Sequence, residues 1–214
     1  MYSWVTHTWN TVKGECPHGC TYCYMKRWGK QGPVKFDHNE LKTDLGEGNT
    51  IFVGSSCDLF AESIPEEWIY NTLQHCRQYE ENTYLFQSKN TKRMASWYKL
   101  TPQKTRFCTT LETNRWYRDI MRDSPPPVQR MQEMAILPFY VDKYVTIEPI
   151  MDFDLEDMVR YIRECEPTQV NIGADSGNNN LPEPPKEKIL SLIEELKKFT
   201  TIDQKRNLNR ILYG

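Results

Sequence analysis

Six short apolar segments, each followed by a stretch of helical character, constrain this chain more than any other feature. They lie at residues 3–8, 50–54, 83–88, 105–109, 143–148 and 169–173. All are rich in β-branched or aromatic residues, as strands buried on both faces are. Helices are expected at 65–79, 92–98, 128–137, 155–164 and 186–199. In the last, Ile189, Leu192, Ile193, Leu196 and Phe199 recur at helical spacing and form one apolar face. Ser63, ahead of Glu66 and Glu67, and Asp154, ahead of Leu155, read as N-caps. The prolines at 125–127 and at 182, 184 and 185 read as rigid helix entries.

Strands alternating with helices predict a parallel sheet with right-handed crossovers. A closed eight-unit barrel takes ~250 residues, and this chain has 214. The expected fold class is therefore α/β, a partial (βα)6 TIM-like barrel of parallel strands, with a doubly wound open sheet as the alternative. The chain reads as one domain, 1–214, with a long loop at 14–24 and a C-terminal helix and tail at 186–214. In either fold, ligands gather at the C-terminal ends of the strands, and that rule selects the residues to weigh.

Seven cysteines in a chain of this size, an odd number, argue for metal rather than for a disulfide framework. Cys16, Cys20 and Cys23 lie in a C-x3-C-x2-C run. Three such thiolates can each bind one iron of a [4Fe–4S] cubane and leave the fourth iron open to a ligand. A zinc site completed by His18 is the alternative, although His18 stands only two residues from both Cys16 and Cys20. Cys57, Cys76, Cys108 and Cys165 read as ordinary buried thiols.

Polar residues cluster where strands are expected to end. Gly54, Ser55, Ser56 and Asp58 follow the second strand, and Lys89 the third. Thr110, Glu112, Asn114 and Arg115 follow the fourth, Glu148 the fifth, and Gly173 and Asp175 the sixth. A carboxylate at a barrel mouth is costly unless paired or used, and arginine suits carboxylate or phosphate. Glu148, Asp175 and Lys89 are the catalytic candidates. The net charge of −2 argues against a generic polyelectrolyte binder but leaves room for local basic surface. Residues 89–106 hold six cations and no acid, interrupted by Trp97 and Tyr98. Lys89, Lys92, Arg93 and Trp97 are accordingly candidate nucleic-acid contacts, since cations and aromatics together suit a phosphate backbone and an exposed base. Two smaller basic groups are Lys26, Arg27 and Lys30 beside Trp28, and Arg115, Arg118 and Arg122.

Cys16, Cys20, Tyr22 and Cys23, following a first strand, resemble the signature of the radical S-adenosylmethionine (radical SAM) superfamily. Asp58-Leu59-Phe60, the run at 87–94, the run at 111–115 and Glu148-Pro149 resemble a small phage-associated branch, related in pattern to spore photoproduct lyase-like proteins. The resemblance spans roughly residues 4–197. It implies a [4Fe–4S] cluster on the three cysteines and S-adenosyl-L-methionine on the open iron, with Tyr22 and the backbone of Gly173 near the adenine. It puts Gly54, Ser55 and Ser56 at the methionyl ammonium, departing from the family's usual Gly-Gly-Glu-like motif. It puts Thr110, Glu112, Asn114 and Arg115 at the ribose hydroxyls and carboxylate.

The implied activity is cleavage to a 5′-deoxyadenosyl radical, which abstracts a hydrogen from a nucleic-acid base or nucleotide. Radical isomerisation of a thymine substituent in phage DNA hypermodification is the leading case. Pyrimidine-lesion repair, glycyl-radical activation of a protein partner and a non-enzymatic zinc-binding nucleic-acid module are the alternatives. A one-electron reductant of flavodoxin or ferredoxin type, a monomer and no membrane partner are expected. So is a cytoplasmic location, the host cytoplasm if phage-encoded, because the sequence has neither an apolar run of membrane-spanning length nor a secretory signal.

Overall fold

The computed structural model describes residues 2–214. The chain runs β1 (His7–Trp9), β2 (Val12–Lys13), β3 (Lys35–Phe36), β4 (Thr50–Val53), α1 (Glu66–Cys76), β5 (Thr83–Gln87) and α2 (Thr91–Ser96). It continues through β6 (Thr105–Thr110), α3 (Arg118–Met121), α4 (Pro127–Ala135), β7 (Asp142–Ile147) and α5 (Leu155–Cys165). It ends with β8 (Gln169–Ile172), α6 (Lys186–Leu196), β9 (Thr201–Gln204) and α7 (Asn209–Leu212). Seven strands form one sheet in the order β1-β4-β5-β6-β7-β8-β9, every neighbouring pair parallel. β2 and β3 make a separate antiparallel pair. This is the α/β fold of parallel strands expected from the alternation, with β1 and β9 as the sheet's two edges.

Side chains alternate along each strand, so each face has its own covering. Tyr84, Phe86, Phe107, Val145, Ile147, Val170 and Ile172 join the large core. The helices contribute to the same core, α6 through Ile189, Leu192, Ile193 and Leu196. Burying each such aliphatic side chain contributes about 1.5–3 kcal/mol. Leu85, Cys108 and Tyr144 face the other way and pack with Tyr2, Trp4, Val5 and Phe52. Tyr2 and Trp4 stack at 5.0 Å between ring centroids. The N-terminal segment thus fills the inner face of the sheet instead of extending the first strand, which begins at His7 rather than at residue 3.

Beyond this inner cluster the lining turns polar. The Tyr2 hydroxyl bonds Gln87 Oε1 at 2.7 Å and Thr146 Oγ1 at 2.6 Å. Gln87 donates to Thr110 Oγ1 at 3.0 Å, and Asn171 to Thr146 Oγ1 at 3.3 Å. These residues line the inner face toward the C-terminal ends of β5 to β8.

Three local expectations are corrected. The 186–214 tail contains a seventh strand, β9, paired with β8. Ile202 is its only strongly apolar residue, as suits an edge strand, so the composition does not announce it. Ser63 does not cap α1: Pro65 occupies the N-cap position, with Glu66 and Glu67 in the first turn as expected. Asp154 does occupy the N-cap position of α5, but its side chain makes no capping bond. Arg115 and Asn114 take its carboxylate instead.

Candidate metal and cofactor site

The cysteine loop follows β2 and turns at the mouth of the barrel. Gly19 takes φ +61°, a conformation glycine adopts without steric cost. The loop closes on itself through Gly19 N to Cys16 O at 3.1 Å and Cys23 N to Cys20 O at 3.2 Å. Thr21 N to Ile120 O at 2.9 Å and Asp123 N to His18 O at 3.1 Å tie it to the segment around α3. Cys20 is buried, and Cys16 and Cys23 are half-buried. The Cys20 thiol donates to Met121 O at 3.6 Å, and Lys89 Nζ donates to Cys20 Sγ at the same distance. A hydrogen bond from the Cys57 thiol brings the Cys16 thiol down to about 6 and pushes Cys57 itself up. Burial pushes Cys23 up.

Asp58, just past the end of β4, holds this loop to the sheet. Its Oδ2 lies 2.7 Å from His18 Nε2, and it accepts from Ser88 Oγ at 3.0 Å and Lys89 N at 2.9 Å. Oδ1 accepts from Phe60 N at 2.9 Å. The turn that delivers Asp58 begins at Gly54, whose φ of +72° suits glycine. Ser55 Oγ and Ser56 N both bond Asn10 Oδ1, at 3.2 and 2.9 Å, and Ser55 O accepts from the Tyr24 hydroxyl.

A buried charge network lies behind Cys20. Glu112 and Arg130 are fully buried and paired at 2.7 Å, and Lys89 Nζ is 3.4 Å from Glu112. The Tyr22 hydroxyl donates to Glu112, and Lys89 Nζ sits 4.7 Å from the centre of the Tyr22 ring. Burial raises the Glu112 carboxyl, but Arg130 and Lys89 outweigh it and hold the group below its usual range. Burial likewise opposes the Lys89 ammonium, yet Cys20, Tyr22 and Glu112 hold it well above its usual range. Arg130 also donates to Thr110 O at 2.9 Å, so the network grips the end of β6.

At the ends of β7, β8 and β9, Glu148 accepts from Lys205 Nζ and from Asn207 Nδ2, the latter at 2.8 Å. Gly173 faces this trio: a Cβ there would lie 2.8 Å from Glu148 Cδ and 3.0 Å from Asn207 Oδ1. Asp175 folds back on its own loop, accepting from Gly177 N at 3.0 Å and Asn179 Nδ2 at 2.6 Å.

The remaining sequence candidates fall outside this constellation. Arg115 is paired with Asp152 and Asp154, and Asn114 accepts from Asp154 N at 2.8 Å. Lys92 is exposed beside His18 and Asn90 in a groove next to the cysteine loop. Arg93 donates to the carbonyls of Ala61, Glu62 and Ile64, and Trp97 packs against the core. Sequence reasoning missed Arg130, Lys205 and Asn207. For Arg130 a signal existed: it shares a helical face with Pro127, Met131 and Met134, all buried, where a solvated arginine does not belong.

The donor set suits an anionic iron–sulfur group. Three thiols stand on one loop, backed by a half-buried ammonium that donates to one of them. Among the described residues no three His, Cys, Asp or Glu side chains are gathered around one ion position. A cubane asks for a different arrangement, three thiolates each on its own iron.

A family model described as a protein of unknown function, DUF5131, matches residues 1–186. The chain belongs to that family. No curated protein matches the sequence. Among solved structures, a cysteine-to-serine mutant of spore photoproduct lyase superposes with a TM-score of 0.65 at 10% identity, covering 92% of this chain and 76% of the other. Spore photoproduct lyase complexed with dinucleoside spore photoproduct gives 0.59 at 10% identity, covering 88% and 60%. A further mutant with bound AdoMet and dinucleoside spore photoproduct gives 0.54 at 10% identity, covering 89% and 60%. This DUF5131 chain therefore shares its fold with spore photoproduct lyase.

Proposed function

We propose that this chain is a radical SAM enzyme acting on a nucleic-acid base or nucleotide. The observation that carries the reading is the Cys16, Cys20 and Cys23 loop at the strand C-termini, with Lys89 donating to Cys20. In this reading the three cysteines hold a [4Fe–4S] cluster and S-adenosyl-L-methionine binds at its open iron. When bound, these groups supply a 5′-deoxyadenosyl radical that takes a hydrogen atom from the substrate. The chain's own residues do the rest. Asp58 fixes His18 and with it the loop's turn. Glu112, buried and ionised between Arg130 and Lys89, anchors the Tyr22 hydroxyl and so fixes the ring beside the third cysteine. Ser55, Ser56 and the turn at Gly54 offer hydroxyl and backbone partners to an ammonium. Glu148, held by Lys205 and Asn207, is the carboxylate this reading assigns to the substrate.

Radical isomerisation of a thymine substituent in phage DNA is the finer assignment. Pyrimidine-lesion cleavage is a second reading, favoured by the likeness to spore photoproduct lyase bound to a dinucleoside. A flavodoxin- or ferredoxin-type donor would supply the electron. A single domain, a monomer and a cytoplasmic setting complete the proposal, and among the described residues no helix is long and apolar enough to cross a membrane.

The test is anaerobic incubation with S-adenosylmethionine, reductant and DNA carrying either a modified thymine or a pyrimidine dimer. Release of 5′-deoxyadenosine with a mass change in one nucleoside is the expected result. No deoxyadenosine from cluster-loaded protein with any of these substrates overturns the assignment.

A further inference from the structure

We propose that residues 24–30 and the turn at Trp116–Arg118 form a rim that binds an unpaired nucleic-acid strand beside the cysteine loop. Residues 16–36 carry Lys26, Arg27, Lys30 and Lys35 and no acidic residue. Tyr24–Trp28 form a single 3-10 turn directly after Cys23. The Tyr24 hydroxyl is tied to Ser55 O beyond β4, and Arg27 bonds Ser176 Oγ beyond β8 at 3.3 Å. Since β4 and β8 are four positions apart in the sheet, the turn lies across the barrel mouth. The segment that bonds Thr21 and His18 of the cysteine loop begins just after Trp116.

Both tryptophans are turned outward, Trp28 73% and Trp116 52% exposed. Arg118 stands 5.9 Å from the Trp116 ring. Lys26, Arg27, Lys30 and Arg118 have no carboxylate partner among the described residues. Exposed indole faces flanked by unpaired cations provide base stacking and phosphate contact together. An unpaired strand offers both base faces and phosphates, whereas a duplex hides the faces.

Four of the six cations of the 89–106 run are otherwise employed, and only Lys92 and Lys99 stay exposed without a carboxylate partner among the described residues. Lys89 is half-buried against Cys20, Arg93 holds loop carbonyls, and Lys104 and Arg106 pair with Glu81 and Asp142 near the N-terminal ends of the strands. This rim deepens the proposed function and rests on it for the substrate class, but its binding step is measured without any cofactor.

The experiment is fluorescence anisotropy of a labelled 12-nucleotide thymidine-rich single strand, with a hairpin duplex for comparison. The K26E/R27E/K30E protein should bind the single strand at least about tenfold more weakly at low salt and show a shallower salt dependence. The W28A protein should lose about tenfold, together with much of the tryptophan quenching. The K104E/K197E/K198E protein, with the same charge change near the N-terminal ends of the strands, should bind as the wild type does. Wild-type protein that fails to bind the strand, or rim and control variants that bind alike, would overturn the rim. Binding through the rim with no deoxyadenosine release leaves the rim standing and removes the radical reading. Deoxyadenosine release with unaltered binding by the rim variants does the reverse.

Discussion

His18 Nε2 lies 2.7 Å from Asp58 Oδ2, with both side chains buried. This contact joins the middle of the cysteine loop to the end of β4. Burial lowers the imidazole's hold on its proton, but the carboxylate outweighs burial and raises it. The reciprocal balance lowers Asp58, because His18 and two backbone N–H groups offset its desolvation. The two shifts agree on an ionised pair.

Asp58→Asn should therefore remove the charge that keeps the imidazole protonated, leave His18 buried and poorly partnered, and loosen the bonds to Ser88, Phe60 and Lys89. Breaking a buried pair of this kind costs about 3–5 kcal/mol. Urea unfolding should show a lowered midpoint, and anaerobically prepared protein should retain less iron. An unchanged midpoint would mean that this contact does not hold the loop.

The Glu112–Arg130 pair predicts acid lability. An unfolded glutamate titrates near about 4.3, and the folded carboxyl titrates lower. The stability it contributes is fully present above the unfolded value and is lost as pH falls through the folded one. Thermal unfolding followed between about pH 6 and pH 3 should drop more steeply for the wild type than for E112Q. E112Q should already be destabilised at neutral pH, by about 3–5 kcal/mol, because Arg130 keeps its charge. Parallel pH profiles would contradict this.

Lys89 should act on whatever the cysteines hold. Its ammonium donates to Cys20 Sγ at 3.6 Å, and hydrogen bonds to sulfur and local charge tune cluster potentials. In cluster-loaded protein, Lys89→Met should move the midpoint potential to more negative values, while Lys89→Arg should restore much of the loss. A redox titration followed by electron paramagnetic resonance reads this directly. An unmoved potential would assign Lys89 to packing alone.

Gly173 is needed for the close approach of Glu148 and Asn207. Gly173→Ala should displace that pair from Lys205 and cost about 1–3 kcal/mol as local overpacking. The loss caused by Gly173→Ala should shrink when the change is made in a Glu148→Gly background, where the closest clash is gone. Equal losses in both would place the strain elsewhere.

The buried strands are legible because β-branched and aromatic residues dominate them, and β4 to β8 fall within about one residue of expectation at either end. β9 is not, since an edge strand keeps only Ile202 inward and reads as tail. The cysteine loop announces itself through spacing alone, and Glu112 and Glu148 through acids set at strand ends. Arg130, Lys205 and Asn207 reach the site from a helix and from the tail, and no local pattern reports a partner so distant in sequence. Composition does not report orientation: within residues 89–106, Lys89 and Arg93 are drawn inward by Glu112 and the loop carbonyls of residues 61–64, while Lys92 stays exposed. A count of cations carries no information about which of them meet a buried acceptor.

The central claim is the identity of the group held by Cys16, Cys20 and Cys23. Protein prepared without oxygen should be brown and contain about four iron and about four sulfide per chain. The triple Cys16/Cys20/Cys23→Ala protein should be colourless. Stoichiometric zinc, with neither iron nor sulfide, would contradict the account.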